Sequence, residues 1–150
     1  MSDVVKNIVS AIETRIAAVI GTTHKKMDYV YDITKNSLNR DYNRYGVIPM
    51  GLTNDTGVTR AMTVDQDFEI IFINRFVNKQ GDDVKQRDAV NDLFKQFYLV
   101  INDLYATKLG IPETVMTVNR VTINDPEFTD EDNTANIRIR INVKYRQLLT

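Results

Sequence analysis

Cysteine is absent from the 150 residues, which removes disulfides, thiolate nucleophiles and cysteine metal sites together. Histidine occurs once, as His24. A Ser/His/Asp triad therefore has a single candidate base, and a zinc site would need more ligands than one histidine and scattered carboxylates usually supply. We read His24 as a surface or helix-terminus residue. Glycine is sparse, and Gly46, Gly51, Gly57, Gly81 and Gly110 never take the clustered spacing that lets backbone amides cradle phosphates. Nucleotide binding has no support, and no cofactor is expected. Neither sign of charge dominates: 19 basic against 20 acidic residues leave −1, which argues against a nucleic-acid binder relying on its overall field. No stretch approaches the roughly 20 apolar residues of a membrane span. The first twenty residues interleave Asp3, Lys6, Asn7, Ser10, Glu13 and Arg15 with apolar ones, so they lack the apolar centre of a signal peptide. The expectation is a soluble protein made inside a cell.

What is present reads as one α+β domain over residues 1–150, a mostly antiparallel sheet covered by a long helix and preceded by an amphipathic helix. Val4, Val5, Ile8, Val9, Ile12, Ile16, Val19 and Ile20 recur at helical spacing on one side of the amino-terminal segment, and Gly21 can end it. Lys26 to Thr34 turns to period two and predicts a strand. Lys35 to Arg44 has no period and predicts an exposed loop. Tyr45 to Ile48 predicts a short strand stopped by Pro49 and Gly51, with a turn at Asn54, Asp55 and Gly57. Val58 to Val64 and Phe68 to Val77 read as extended, either separately or as one strand bent near Asp65 to Asp67. A second helix is predicted from Asp82 or Asp83 to about Leu109, with Val90, Leu93, Phe94, Phe97, Ile101, Leu104 and Tyr105 on its apolar face. Thr114 to Ile123 is extended, Asn124 to Asn133 an acidic loop, and Thr134 to Arg146 the clearest strand.

Asp65, Asp67 and Glu69 alternate along one strand face and could bind a divalent metal for phosphodiester hydrolysis; a solvated face is the plainer reading. The acidic run Asp125, Glu127, Asp130, Glu131 and Asp132 lacks the central glycine and ligand spacing of an EF-hand. Arg40, Tyr42 and Arg44 mix a ring and guanidinium groups as partner interfaces do. Leu99 points to the polar side of the second helix, either as an ordinary exposed leucine or as a contact. On the last strand Arg138, Arg140, Lys144 and Arg146 form a basic stripe whose successive members stand about 7 Å apart. Three partners suit it: solvent with the chain's own Asp125 to Asp132 loop, carboxylates of a neighbouring subunit, or DNA phosphates.

The segment Tyr45-Gly46-Val47-Ile48-Pro49-Met50-Gly51, followed by Val58-Thr59-Arg60-Ala61-Met62-Thr63-Val64-Asp65-Gln66-Asp67-Phe68-Glu69, together with the order of elements, resembles tail terminator or tail completion proteins of tailed bacteriophages. The resemblance implies a hexameric ring, without enzymatic activity, that caps the tail tube and joins it to the neck. It implies as partners further copies of the chain, tail tube and sheath proteins, and neck or connector proteins, with passing contact to DNA in the lumen and none to membrane. It implies a place in the virion after synthesis in the host cytoplasm. A head-to-tail connector or another neck protein fits the same resemblance. Two other classes stand beside it, a monomeric nucleic-acid or protein-binding module and a metal-dependent hydrolase using Asp65, Asp67 and Glu69.

Overall fold

Val4, Ile8, Ile12, Ile16 and Ile20 follow one another at helical spacing, and in the computed structural model they are the buried residues of helix α1 (Val4–Ile20). Gly21 takes φ +61° directly after it, a left-handed conformation that glycine adopts without strain and that stops the helix. The structure describes residues 4–21, 24–27, 43–58, 61–75, 83–107, 109, 115–129 and 134–148.

The remaining elements are β1 (Lys25–Lys26), β2 (Arg44–Val58), β3 (Ala61–Arg75), α2 (Asp83–Thr107), β4 (Val115–Ile123), β5 (Glu127–Thr129) and β6 (Thr134–Leu148). The strands form a single sheet in the order β1-β2-β3-β6-β4, with β5 pairing β6 as well. Among the described strands only β1 with β2 is parallel; every other pair is antiparallel. This is the expected α+β class. α1 packs on α2 and β2, while α2 lies over β3 and β6.

β3 and β6 supply the floor of the core by strict alternation. Val64, Phe68, Ile70 and Phe72 of β3, with Ile137, Ile139, Ile141, Val143 and Tyr145 of β6, are buried in one cluster with the five α1 residues and with Leu93, Phe97, Val100, Ile101 and Leu104 of α2. Tyr105, expected on the apolar face, is 46 % exposed. At 100° per residue it stands roughly 100° from the centre of the buried arc, so it belongs to the helix flank.

Three boundaries differ from expectation. β2 continues through Pro49 and Gly51 to Val58, and the residues expected to turn are paired, Asn54 with Asp65 and Gly57 with Met62. β2 absorbs the break-prone residues with register shifts between Pro49 and Leu52 and between Leu52 and Asn54. Beyond Tyr45 its outer side meets no described strand, and there proline's missing N–H leaves no ladder bond unmade. β3 is one strand running through Asp65 to Asp67, the second of the two expected forms, but it begins at Ala61 because Val58 closes β2. Within the stretch expected to be an acidic loop, Glu127, Phe128 and Thr129 pair with Asn136, Ala135 and Thr134. The expected strand at Lys26 to Thr34 is represented by β1 and Met27, and residues 28–34 lie outside the described ones.

His24 is not at the surface. It is 4 % exposed, held by Asn74 at 2.7 Å from its Nε2 and set edge-on to the Phe72 ring at 5.9 Å. Asn74 in turn donates to Gln96 Oε1 at 3.2 Å. Burial pushes the imidazole pKa down, against opposing contributions from Asn74, Gln96 and Asp92. The unfolded chain then takes up a proton near the ordinary value of about 6.5 that the folded chain refuses. Stability from this site is complete above that pH and is lost as pH falls from there towards the depressed folded value. Thermal melts between about pH 7.5 and pH 5 should therefore show a decline that His24→Gln reduces. Equal slopes for both proteins would contradict it.

Candidate interaction face

The sheet face turned away from the helices carries the polar half of the alternation. β3 contributes Asp65, Asp67, Glu69, Ile71 and Ile73, and β6 sets Lys144, Asn142, Arg140, Arg138 and Asn136 opposite them in register. Ile71 and Ile73 are buried with Met27 and Ile48 packed against them, so one end of this face is apolar. The rest sets three acids of β3 against two bases and one amide of β6.

Glu69 is the centre of that charge pairing. Only 6 % of its side chain is exposed, and its two oxygens face Arg138 Nη1 at 3.3 Å and Arg140 Nη2 at 3.4 Å. Those distances are long for hydrogen bonds, so the attraction is chiefly that of opposite charges across neighbouring strands. Arg138 Nε is buried with no hydrogen-bond partner among the described residues, which leaves Glu69 to neutralise this guanidinium. Next along, Asn142 Nδ2 donates to Asp67 Oδ1 at 2.9 Å. These two line a shallow cavity of about 180 Å³ with Thr122, Arg140 and Ile141. The carboxylates read as a potential metal row are thus set against the chain's own cations and amides. Among the described residues no three His, Asp or Glu side chains cluster as metal ligands.

The sequence-derived interface residues separate into three groups. Arg40 and Tyr42 lie outside the described residues. Arg44 was expected in an exposed loop, but it opens β2 opposite Ile73 and is 1 % exposed. A strand alternates its faces, and this position turns the guanidinium onto the polar face beside the Ile71 and Ile73 cluster, so it is no surface contact of the single chain. Leu99 is 46 % exposed and borders a groove of about 370 Å³ between the helices, with Val19, Ile20, Asp92, Lys95 and Gln96. Of the basic stripe, Arg138 and Arg140 are engaged by Glu69, Lys144 is half-buried and Arg146 exposed.

Sequence reasoning missed Glu69 as the partner of that stripe. The signal was present: two period-two rows of opposite charge in two strands of similar length, which antiparallel pairing brings side by side.

The architecture belongs to the α+β class, two helices on one face of a mostly antiparallel sheet. The same fold occurs in a chain of the structure described as the virion of a native gene transfer agent (GTA) particle. The likeness has a TM-score of 0.58 at 12 % sequence identity, and it covers 98 % of this chain and 100 % of that one. No protein-family model and no curated protein matches the sequence. Among the described residues no helix is long and apolar enough to cross a membrane.

Proposed function

We propose that this chain is a structural protein of a phage-like virion, acting without enzymatic activity. The observation that carries the proposal is the fold shared over nearly the full length of both chains with a component of a gene transfer agent particle. The role suggested by the element order and by the Tyr45 to Glu69 segment is that of a tail terminator. In that role the 150 residues act as one domain, six copies form a ring, and the ring closes the tail tube and offers its other side to the neck. Tail tube and sheath proteins on one side and connector proteins on the other are then its partners, and DNA passes through its lumen.

A buried carboxylate shared by two arginines of the neighbouring strand suits such a role, because it ties β3 to β6 as a rigid face. Negative-stain images and mass photometry of the purified chain test it. Six-fold rings support the terminator reading, and rings of another order favour a connector. A monomer that binds single strands with strong salt dependence would replace both with a binding module.

A further inference from the structure

The polar sheet face is electrically lopsided, and the two ends of its charge lie too far apart to neutralise each other within one chain. At one end of β6, Glu127 sits in register beside Asn136, and the backbone N–H of Asn124 bonds to the Arg138 carbonyl at 3.1 Å. Asp125 and Glu127 are both exposed there. Arg75, the cation opposite Thr134 at this end, has an interaction of its own. At the other end stand Lys144 and Arg146, with no ion-pair partner among the described residues. Lys144 faces Asp65, which also has a partner of its own, and Arg146 faces Thr63.

Ten residues of extended chain separate Asn136 from Arg146, about 33 Å at the usual strand rise. That is several times the screening length of about 8 Å at physiological salt. The chain's own acidic corner therefore cannot serve the far half of the basic stripe, and Glu69 is already shared by Arg138 and Arg140. An acidic end and a basic end on opposite extremities of one face are complementary only between copies, joined head to tail. Such heterologous contacts generate rings when the rotation closes.

We propose that Lys144 and Arg146 of one copy meet Asp125 and Glu127 of the next copy of this chain, and that this pairing sets the direction and register of assembly. The inference rests on the self-assembly reading above and specifies which surfaces join.

The test uses the full chain in three forms. One carries Lys144→Glu with Arg146→Glu, the second Asp125→Lys with Glu127→Lys, and the third all four changes. At about 50 mM salt each pair alone should weaken self-assembly about tenfold or more by sedimentation velocity, and the loss should shrink at about 500 mM as screening removes the repulsion. An equimolar mixture of the first two should co-assemble, and the third should assemble by itself, because both restore opposite charges at each joint. Should the Lys144 change disturb folding beside Asp65, Arg146→Glu alone provides the basic-end variant, checked by its thermal melt. Wild-type rings with variants that assemble equally well, or a mixture no better than either variant, would overturn this pairing alone. A wild-type chain that stays monomeric at both salt concentrations would overturn the ring reading with it.

Discussion

Phe72→Ala should lower the melting temperature by roughly 10 °C or more, among the largest losses expected from a single substitution in this chain. The side chain is fully buried and belongs to the main core cluster. It meets the His24 ring edge-on at 5.9 Å and the Tyr45 ring at 6.3 Å. Truncating a buried phenylalanine costs about 3–5 kcal/mol, because the transferred area is lost and the cavity collapses only in part. In a domain of this size each kcal/mol moves the midpoint by about 2–4 °C. A second consequence is specific to this position. Water entering the cavity would reduce the burial that holds the His24 pKa down, so the decline in stability below about pH 6.5 should flatten as well. Melts of wild type and variant at neutral and acid pH measure both effects. A shift of less than about 3 °C would mean that the surrounding residues refill the site.

Glu69→Gln is expected to destabilise the chain by about 2 kcal/mol, or about 5 °C. Removing one partner of a fully buried ion pair costs about 3–5 kcal/mol, since the charge left behind keeps its desolvation penalty. Here the carboxylate is buried, but the Arg138 and Arg140 side chains are 34 % and 45 % exposed, so water takes over part of its work and the figure falls. Arg140→Glu should act in the same direction, because it places a second carboxylate beside Glu69. It therefore disturbs the fold as well as the surface and is a poor probe of assembly, for which Arg146 is cleaner. Replacing both Glu69 and Arg138 by leucine should cost less than Glu69→Leu alone, because the buried Nε of Arg138 is removed with its carboxylate and only the more exposed Arg140 is left uncompensated. Glu69→Gln melting like the wild type would show that solvent already neutralises the arginines.

The sequence by itself determined the elements whose signal is local. Period 3.6 from Val4 to Ile20 and from Val90 to Leu104 defined both helices, the five buried residues of α1 and, among the described buried residues of α2, all but Ala89 and Val100. Period two from Thr134 to Arg146 defined β6, with Ile137 through Tyr145 inward and the arginines outward. These patterns are legible because a helix or strand repeats its own geometry every few residues, whatever it packs against.

Tertiary structure decided everything that depends on a neighbour distant in sequence. His24 follows a glycine-ended helix in a polar run, and only the arrival of Asn74, Phe72 and Gln96 from β3 and α2 buries it. Pro49 and Gly51 carry strong local stop signals, yet pairing with β3 extends β2 past them, with register shifts in β2 accommodating the misfit. Glu127 to Thr129 are polar enough for a loop and become β5 because β6 lies alongside. The basic stripe was visible in the sequence, but its partners were not. Register decides that Glu69 serves Arg138 and Arg140, and strand length decides that Asp125 and Glu127 stand too far from Lys144 and Arg146 to serve them. Charge pairing depends on separation in space, and the order of residues along a chain does not specify that separation until the strands have found their register.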